Sequence, residues 1–155
     1  MKDKVGIGIH IPQKNISFAA RLNSLTELAE LTAIHRGMMM CLENNFNNNV
    51  ILSDSKSALE KISTSTITAR SDYISLTIKQ MAYLPSLNEV SFKFVWIPGH
   101  SKIDGNEKAD IPAKVGTSLS VPLNIKLNKH SLLPIFKQRI KDAIHQVWKR
   151  DVQSK

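Results

Sequence analysis

Apolar residues alternate with small or polar ones from the start of the chain: Val5, Ile7, Ile9 and Ile11 are separated by Gly6, Gly8 and His10. A period of two marks a half-buried strand, and Pro12 ends it because proline offers no amide hydrogen to a ladder. The turn sequence PQKN follows, and ISFAARL then predicts an antiparallel partner, so the chain opens on a hairpin. The period next changes to that of a helix. Ser24 with Glu27 three residues on is a capping-box pattern, and Leu31, Ile34, Met38 and Cys41 form an apolar stripe, which predicts a helix over about 25–42. Glu30 lies on this helix above Ala33 and Gly37, small residues that let a sheet come close.

The tract ENNFNNN predicts a loop, and VILSD a short strand ending at Asp54, with Ser53, Asp54 or Ser55 able to cap the helix SKSALEKI. A further helix over 71–84, with Ile74, Ile78 and Met81 at helical spacing, is stopped by Pro85. Val90, Phe92, Phe94 and Trp96 alternate with Ser91, Lys93 and Val95, which predicts a core strand. It runs into Pro98, Gly99 and His100, and then into a helix from Asn106 that carries Glu107 and Asp110. Pro112 inside that helix predicts a kink or a later start, since it deletes one backbone hydrogen bond. The order β-β-α-β-α-α-β-α is that of an α/β fold. After Val115, GTSLSVPLNIKLNKHS lacks periodicity and reads as a linker. Over 132–150, Leu133, Phe136, Ile140, Ile144 and Val147 share one side, with Lys137, Arg139, Lys141, Lys149 and Arg150 elsewhere, which predicts an amphipathic basic helix. The expected organisation is one domain over 1–116, then linker and basic helix over 117–155.

The chain has 155 residues, enough for one compact domain, and 42% hydrophobic residues with no apolar run near the ~18 residues of a membrane span. A soluble protein is expected. Its single cysteine, Cys41, excludes an internal disulfide and a multi-cysteine zinc site, and suits a reducing, intracellular setting, cytoplasmic or nuclear. A formal charge of +8 favours a polyanionic partner, with nucleic acid first among them. Three carboxylates stand at places where α/β proteins keep working groups: Glu30 on a helix over the sheet, Asp54 at a strand end and Asp110 inside a helix start. Clustered, they would repel unless a cation sat between them, and Mg²⁺ with its few carboxylates, waters and phosphate oxygens suits phosphodiester chemistry.

Three motifs carry a resemblance: TELAELTAIHRG, VILSDSKSAL and WIPGHSKIDGNEKAD. Together they resemble the type-1 ribonuclease H domain, and more narrowly the version in non-LTR retrotransposon polyproteins. The resemblance implies a mixed sheet flanked by helices and cleavage of the RNA strand of RNA:DNA hybrids. It implies two Mg²⁺ ions, or Mn²⁺, about 4 Å apart, held by Glu30, Asp54 and Asp110. It further implies a loop His100 assisting proton transfer or product departure, with Asn106, Ser55 and Lys102 on the nucleic acid and Glu107 supporting the site from behind. Reverse transcriptase and endonuclease domains would be its neighbours.

In that family a first strand ending in Asp-Gly-Ser precedes the strand that matches Val5–Ile11 and supplies a further metal ligand. Here the acidic residues before Glu30 are Asp3 and Glu27, and the Asp-Gly pair, Asp104-Gly105, falls in the third motif. The expectation is therefore an N-terminally truncated copy. Two functions stand side by side: a hybrid-cutting nuclease, and an inactive nucleic-acid-binding remnant.

Overall fold

A computed structural model of the chain describes residues 4–23, 26–64, 72–83, 90–99, 102–124 and 149. Strand β1 (Val5–Ile11) pairs antiparallel with β2 (Ile16–Leu22), Val5 opposite Leu22 and Ile11 opposite Ile16. A 3₁₀ turn over Pro12–Lys14 joins them and closes on Asn15 at φ 50°, a left-handed conformation that asparagine tolerates. Helix α1 (Thr26–Glu43) follows, then β3 (Asn48–Ser53), α2 (Lys56–Ser63), α3 (Tyr73–Tyr83), β4 (Ser91–Trp96) and α4 (Asp104–Ser118). Strands β3 and β4 are parallel, from Asn48 beside Ser91 to Ser53 beside Trp96, and α2 and α3 make the crossover that parallel pairing requires. The class is the expected α/β. Among the described residues, however, the strands form two separate two-stranded sheets, β1-β2 and β3-β4.

Helix α1 takes part in both cores. Its Leu28, Leu31, Ile34 and Met38 join Ala58, Ile62, Ile74 and Ile78 in one buried cluster, against which Ile51, Phe92 and Phe94 pack. Its Ala29 joins Ile7, Ala20 and Leu22 in the other. Polar contacts tie the helical layer together, since Lys61 lies 3.1 Å from both Glu27 and Asp72. Asp72 in turn accepts from the Ser75 amide at 2.7 Å, capping α3.

Alternation along β1 assigns its two faces. Ile7 and Ile9 point toward α1, where a Cβ on Gly37 would lie 3.8 Å from the Ile9 Cγ2. Gly6 and Gly8 point the other way, against the backbone of α4. A Cβ on Gly6 would overlap the Ala113 carbonyl oxygen and lie 2.8 Å from the Thr117 amide, and one on Gly8 would overlap the Ala109 carbonyl. Only glycine permits this approach. The hairpin is thus sandwiched between α1 and α4.

Three details depart from expectation. Helix α4 starts earlier than Asn106, at Asp104, and continues through Pro112, which is buried. Trp96 ends β4 half exposed, at 50%, rather than in the core. Beyond α4 the chain docks back: the Leu123 amide donates to the Arg21 carbonyl at 2.6 Å, and Leu123 packs against the hairpin core. Ser24, Pro85, His100 and all of the basic terminal helix but Lys149 lie outside the described residues. Among the described residues no helix is long and apolar enough to cross a membrane.

The glycine contact has a direct test. Gly8→Ala is expected to lower unfolding free energy by about 1–3 kcal/mol or more through overpacking against α4. Gly105→Ala, whose Cβ meets nothing within 4 Å, should be neutral or stabilising by up to about 1 kcal/mol. Urea midpoints of the two variants decide.

Candidate active site

Strand β3 ends at Ser53, and the turn to α2 leaves Asp54 outside the ladder. Of the three residues able to cap α2, Ser55 does so: its Oγ accepts from the Ala58 amide at 3.4 Å, while the Ser53 Oγ accepts from the Ser55 amide at 3.2 Å. The Asp54 carboxylate is therefore free of capping duty, and it is exposed. Its backbone is held from β4, where the Trp96 Nε1 donates to the Asp54 carbonyl at 3.1 Å. The loop beyond Trp96 also reaches this residue, since a Cβ on Gly99 would lie 3.2 Å from the Asp54 Oδ2. Motifs distant in sequence thus meet at one carboxylate. His100 follows Gly99 directly, but lies outside the described residues.

Glu30 is half-buried on α1 beside a cavity of about 720 Å³, whose wall also includes Asp54, Asn106 and Asp110. Burial pushes the Glu30 carboxyl above its ordinary value, and the charges of Asp54 and Asp110 push it further. The charges of Asp54 and Asp110 therefore reach Glu30, although each stands on a different element. Among the described residues no group of three His, Cys, Asp or Glu side chains closes tightly enough to hold a metal by itself. An ion of the Mg²⁺ kind takes few protein carboxylates and completes its shell with water and substrate oxygens, and the hard, all-oxygen donors of Glu30, Asp54 and Asp110 fit that role.

The other expected site residues fall at varied distances from this centre. Asn106 is half-buried in the cavity wall, in the first turn of α4, with its amide donating to the Ile103 carbonyl at 2.9 Å. Glu107 is exposed on the same turn. Lys102 is exposed just before α4, with φ at 57°. Ser55 is occupied as the cap of α2. Cys41 is buried in the cavity wall, and burial pushes its thiol up, which suits a packing residue rather than a nucleophile. Sequence reasoning did not assign the group that holds the Asp54 backbone, the Trp96 indole, or the closeness of Gly99 to its carboxylate. The spacing Trp-x-x-Gly after a strand was the available signal.

The model of one protein family, described as RNase H, matches residues 1–118. A comparison with curated proteins finds no match.

The raised Glu30 carboxyl fixes the sign of a pH effect. The folded protein holds this proton more tightly than the unfolded chain, so stability falls as pH rises from the ordinary carboxyl value through the folded one. Glu30→Gln is therefore expected to raise the thermal midpoint at neutral pH, with the gain disappearing toward about pH 4. A gain that is flat across that range would assign it to packing instead.

Proposed function

The chain belongs to the RNase H family, and from that premise we propose that it cuts the RNA strand of RNA:DNA hybrids at the site lined by Glu30, Asp54 and Asp110. The observation that carries the proposal is the half-buried Glu30 carboxyl, raised by burial and then by the charges of Asp54 and Asp110, a cost that a divalent cation would relieve. The family match makes ribonuclease chemistry the general expectation; Mg²⁺, or Mn²⁺ in its place, is the ion we assign, with Glu30, Asp54 and Asp110 as its holders. When bound, such ions supply an activated water and steady the leaving oxygen.

The protein's own residues do the rest. The Trp96 indole holds the Asp54 backbone at the strand end, and Gly99 leaves room for its carboxylate, which a Cβ there would crowd. Asn106 in the cavity wall and exposed Lys102 approach the hybrid from the α4 side, and Ser55 from the start of α2. His100, one residue beyond the Gly99 contact, handles a proton near neutral pH. A net charge of +8 draws the phosphate backbone, and contacts to the 2′-hydroxyl select RNA. The likeness of TELAELTAIHRG, VILSDSKSAL and WIPGHSKIDGNEKAD to the non-LTR retrotransposon form makes a retroelement the source we propose.

A second reading, a hybrid-binding domain that does not cut, is favoured by the lack of a closed three-ligand group among the described residues. A labelled RNA:DNA hybrid separates the two. The nuclease reading expects cleavage in Mg²⁺ or Mn²⁺ that Asp54→Asn lowers by about a hundredfold or more. Binding with a steep salt slope and no cleavage above a protein-free control would leave only the second reading.

A further inference from the structure

We propose that the outward face of α4 is the seat of the chain's own basic amphipathic segment, residues 132–150, folded back on it as an antiparallel helix. The face gives the first argument. Ala109 and Ala113 meet the hairpin at Gly8 and Gly6, and Pro112 and Gly116 are buried, so this side of α4 is already covered. On the outward side Ile111, Val115 and Leu119 recur every four residues, 63%, 54% and 37% exposed. That spacing lines them up in one stripe. Single apolar residues on a surface need no explanation, but a helix that is apolar on two sides has two surfaces to bury.

The course of the chain gives the second argument. Beyond α4 it stays at the end of that helix: the Arg21 guanidinium donates to the Leu119 carbonyl, and the Arg21 carbonyl accepts from the Leu123 amide at 2.6 Å. Seven residues, 125–131, then lead to Leu132. Their reach of about 25 Å exceeds the stripe, which runs about 12 Å from Ile111 to Leu119. Over 132–150, Leu133, Phe136, Ile140, Ile144 and Val147 share one side at the same helical spacing. Two such stripes joined by a short connection pack as antiparallel helices.

Charge agrees with that direction. Running back along α4, a helix of about 28 Å ends beside the α4 N-terminus. There Asp104, paired with Lys108 at 2.8 Å, and Glu107 stand exposed. The arriving end carries Lys149 and Arg150, so opposite charges meet. Size argues against a second copy as the occupant. Three partly exposed side chains fall far short of the ~1,200 Å² that a stable interface between separate molecules buries, whereas a short tether holds its segment at an effective concentration on the order of millimolar. Docking also places charge. Residues 125–155 hold eight of the 21 basic residues and two of the 13 acidic ones, so most of the net +8 is fixed to the helix that carries Asp110.

The test uses the full chain with neither RNA nor metal, so its failure is distinct from failure of the nuclease reading. Hydrogen exchange followed by mass spectrometry is expected to show the amides of 140–147 exchanging at least about tenfold more slowly in the parent than in Val115→Lys, with those of 31–38 in α1 unchanged. Unprotected 140–147 amides in the parent, or equal protection in Val115→Lys, would overturn the proposal. A reciprocal measurement leaves α4 packing alone and decides the matter even where Val115→Lys loses its fold. In a Cys41→Ala background the thiol of Val115→Cys is expected to react with a maleimide at least about tenfold faster once Ile140→Lys and Ile144→Lys are added. An equal rate would overturn the proposal. Protection of 140–147 that fades on dilution of the protein would also overturn it, by making a second copy the occupant.

Discussion

The arrangement depends on the packing of α1 against both half-sheets at once. Leu31, Ile34 and Met38 commit one stripe of the helix to the β3-β4 layer, and Ala29 commits another to the β1-β2 hairpin. Burial of the larger of these side chains contributes about 1.5–3 kcal/mol each, and the helix thereby ties the two halves together. Glu30 sits between these stripes, on the helix that spans the gap. Its half-buried position is thus a by-product of the same packing, and so is the electrostatic cost of keeping a carboxylate there. A functional group held at a cost to stability is the usual condition of an active site.

The other two carboxylates reach this centre from opposite sides. Asp54 arrives with β3, and Asp110 with α4, which is fixed to β1 by the close approach at Gly6 and Gly8. Any change in the distance between the half-sheets therefore changes the separation of Asp54 from Asp110. The cavity between β1 and β3 is in this sense part of the site's mechanics.

Much of this was legible in the sequence because it rests on local pattern. The period-two run at Val5–Ile11, the stripe from Leu31 to Cys41 and the phenylalanines of β4 each state an element and its buried face. Glu30, Asp54 and Asp110 could be singled out because they fall within three recognisable motifs, although Asp110 lies in the middle of α4 and not at its start. What was not legible depends on tertiary contact. Trp96 reads as a core residue by alternation, yet it is half exposed, with its indole nitrogen on the Asp54 carbonyl. Pro112 reads as a helix breaker, yet α4 passes through it, and the neighbouring Ala109, Ala113 and Gly116 pack on the hairpin. The Gly6 and Gly8 pattern read as part of a strand without disclosing that a helix backbone lies against it. The segment after α4 has no periodicity, yet it docks on Arg21, whose guanidinium donates to the Leu119 carbonyl and whose own carbonyl accepts from the Leu123 amide.

Glu30, Asp54 and Asp110 are proposed to serve one divalent-cation site although they stand on three separate elements. Binding of Mn²⁺, followed by its electron paramagnetic resonance signal in the parent and in Glu30→Gln, Asp54→Asn and Asp110→Asn, tests it most directly. Each single change is expected to weaken binding by at least about tenfold. Mn²⁺ affinity unaffected by any one of the three would contradict it and remove that residue from the site.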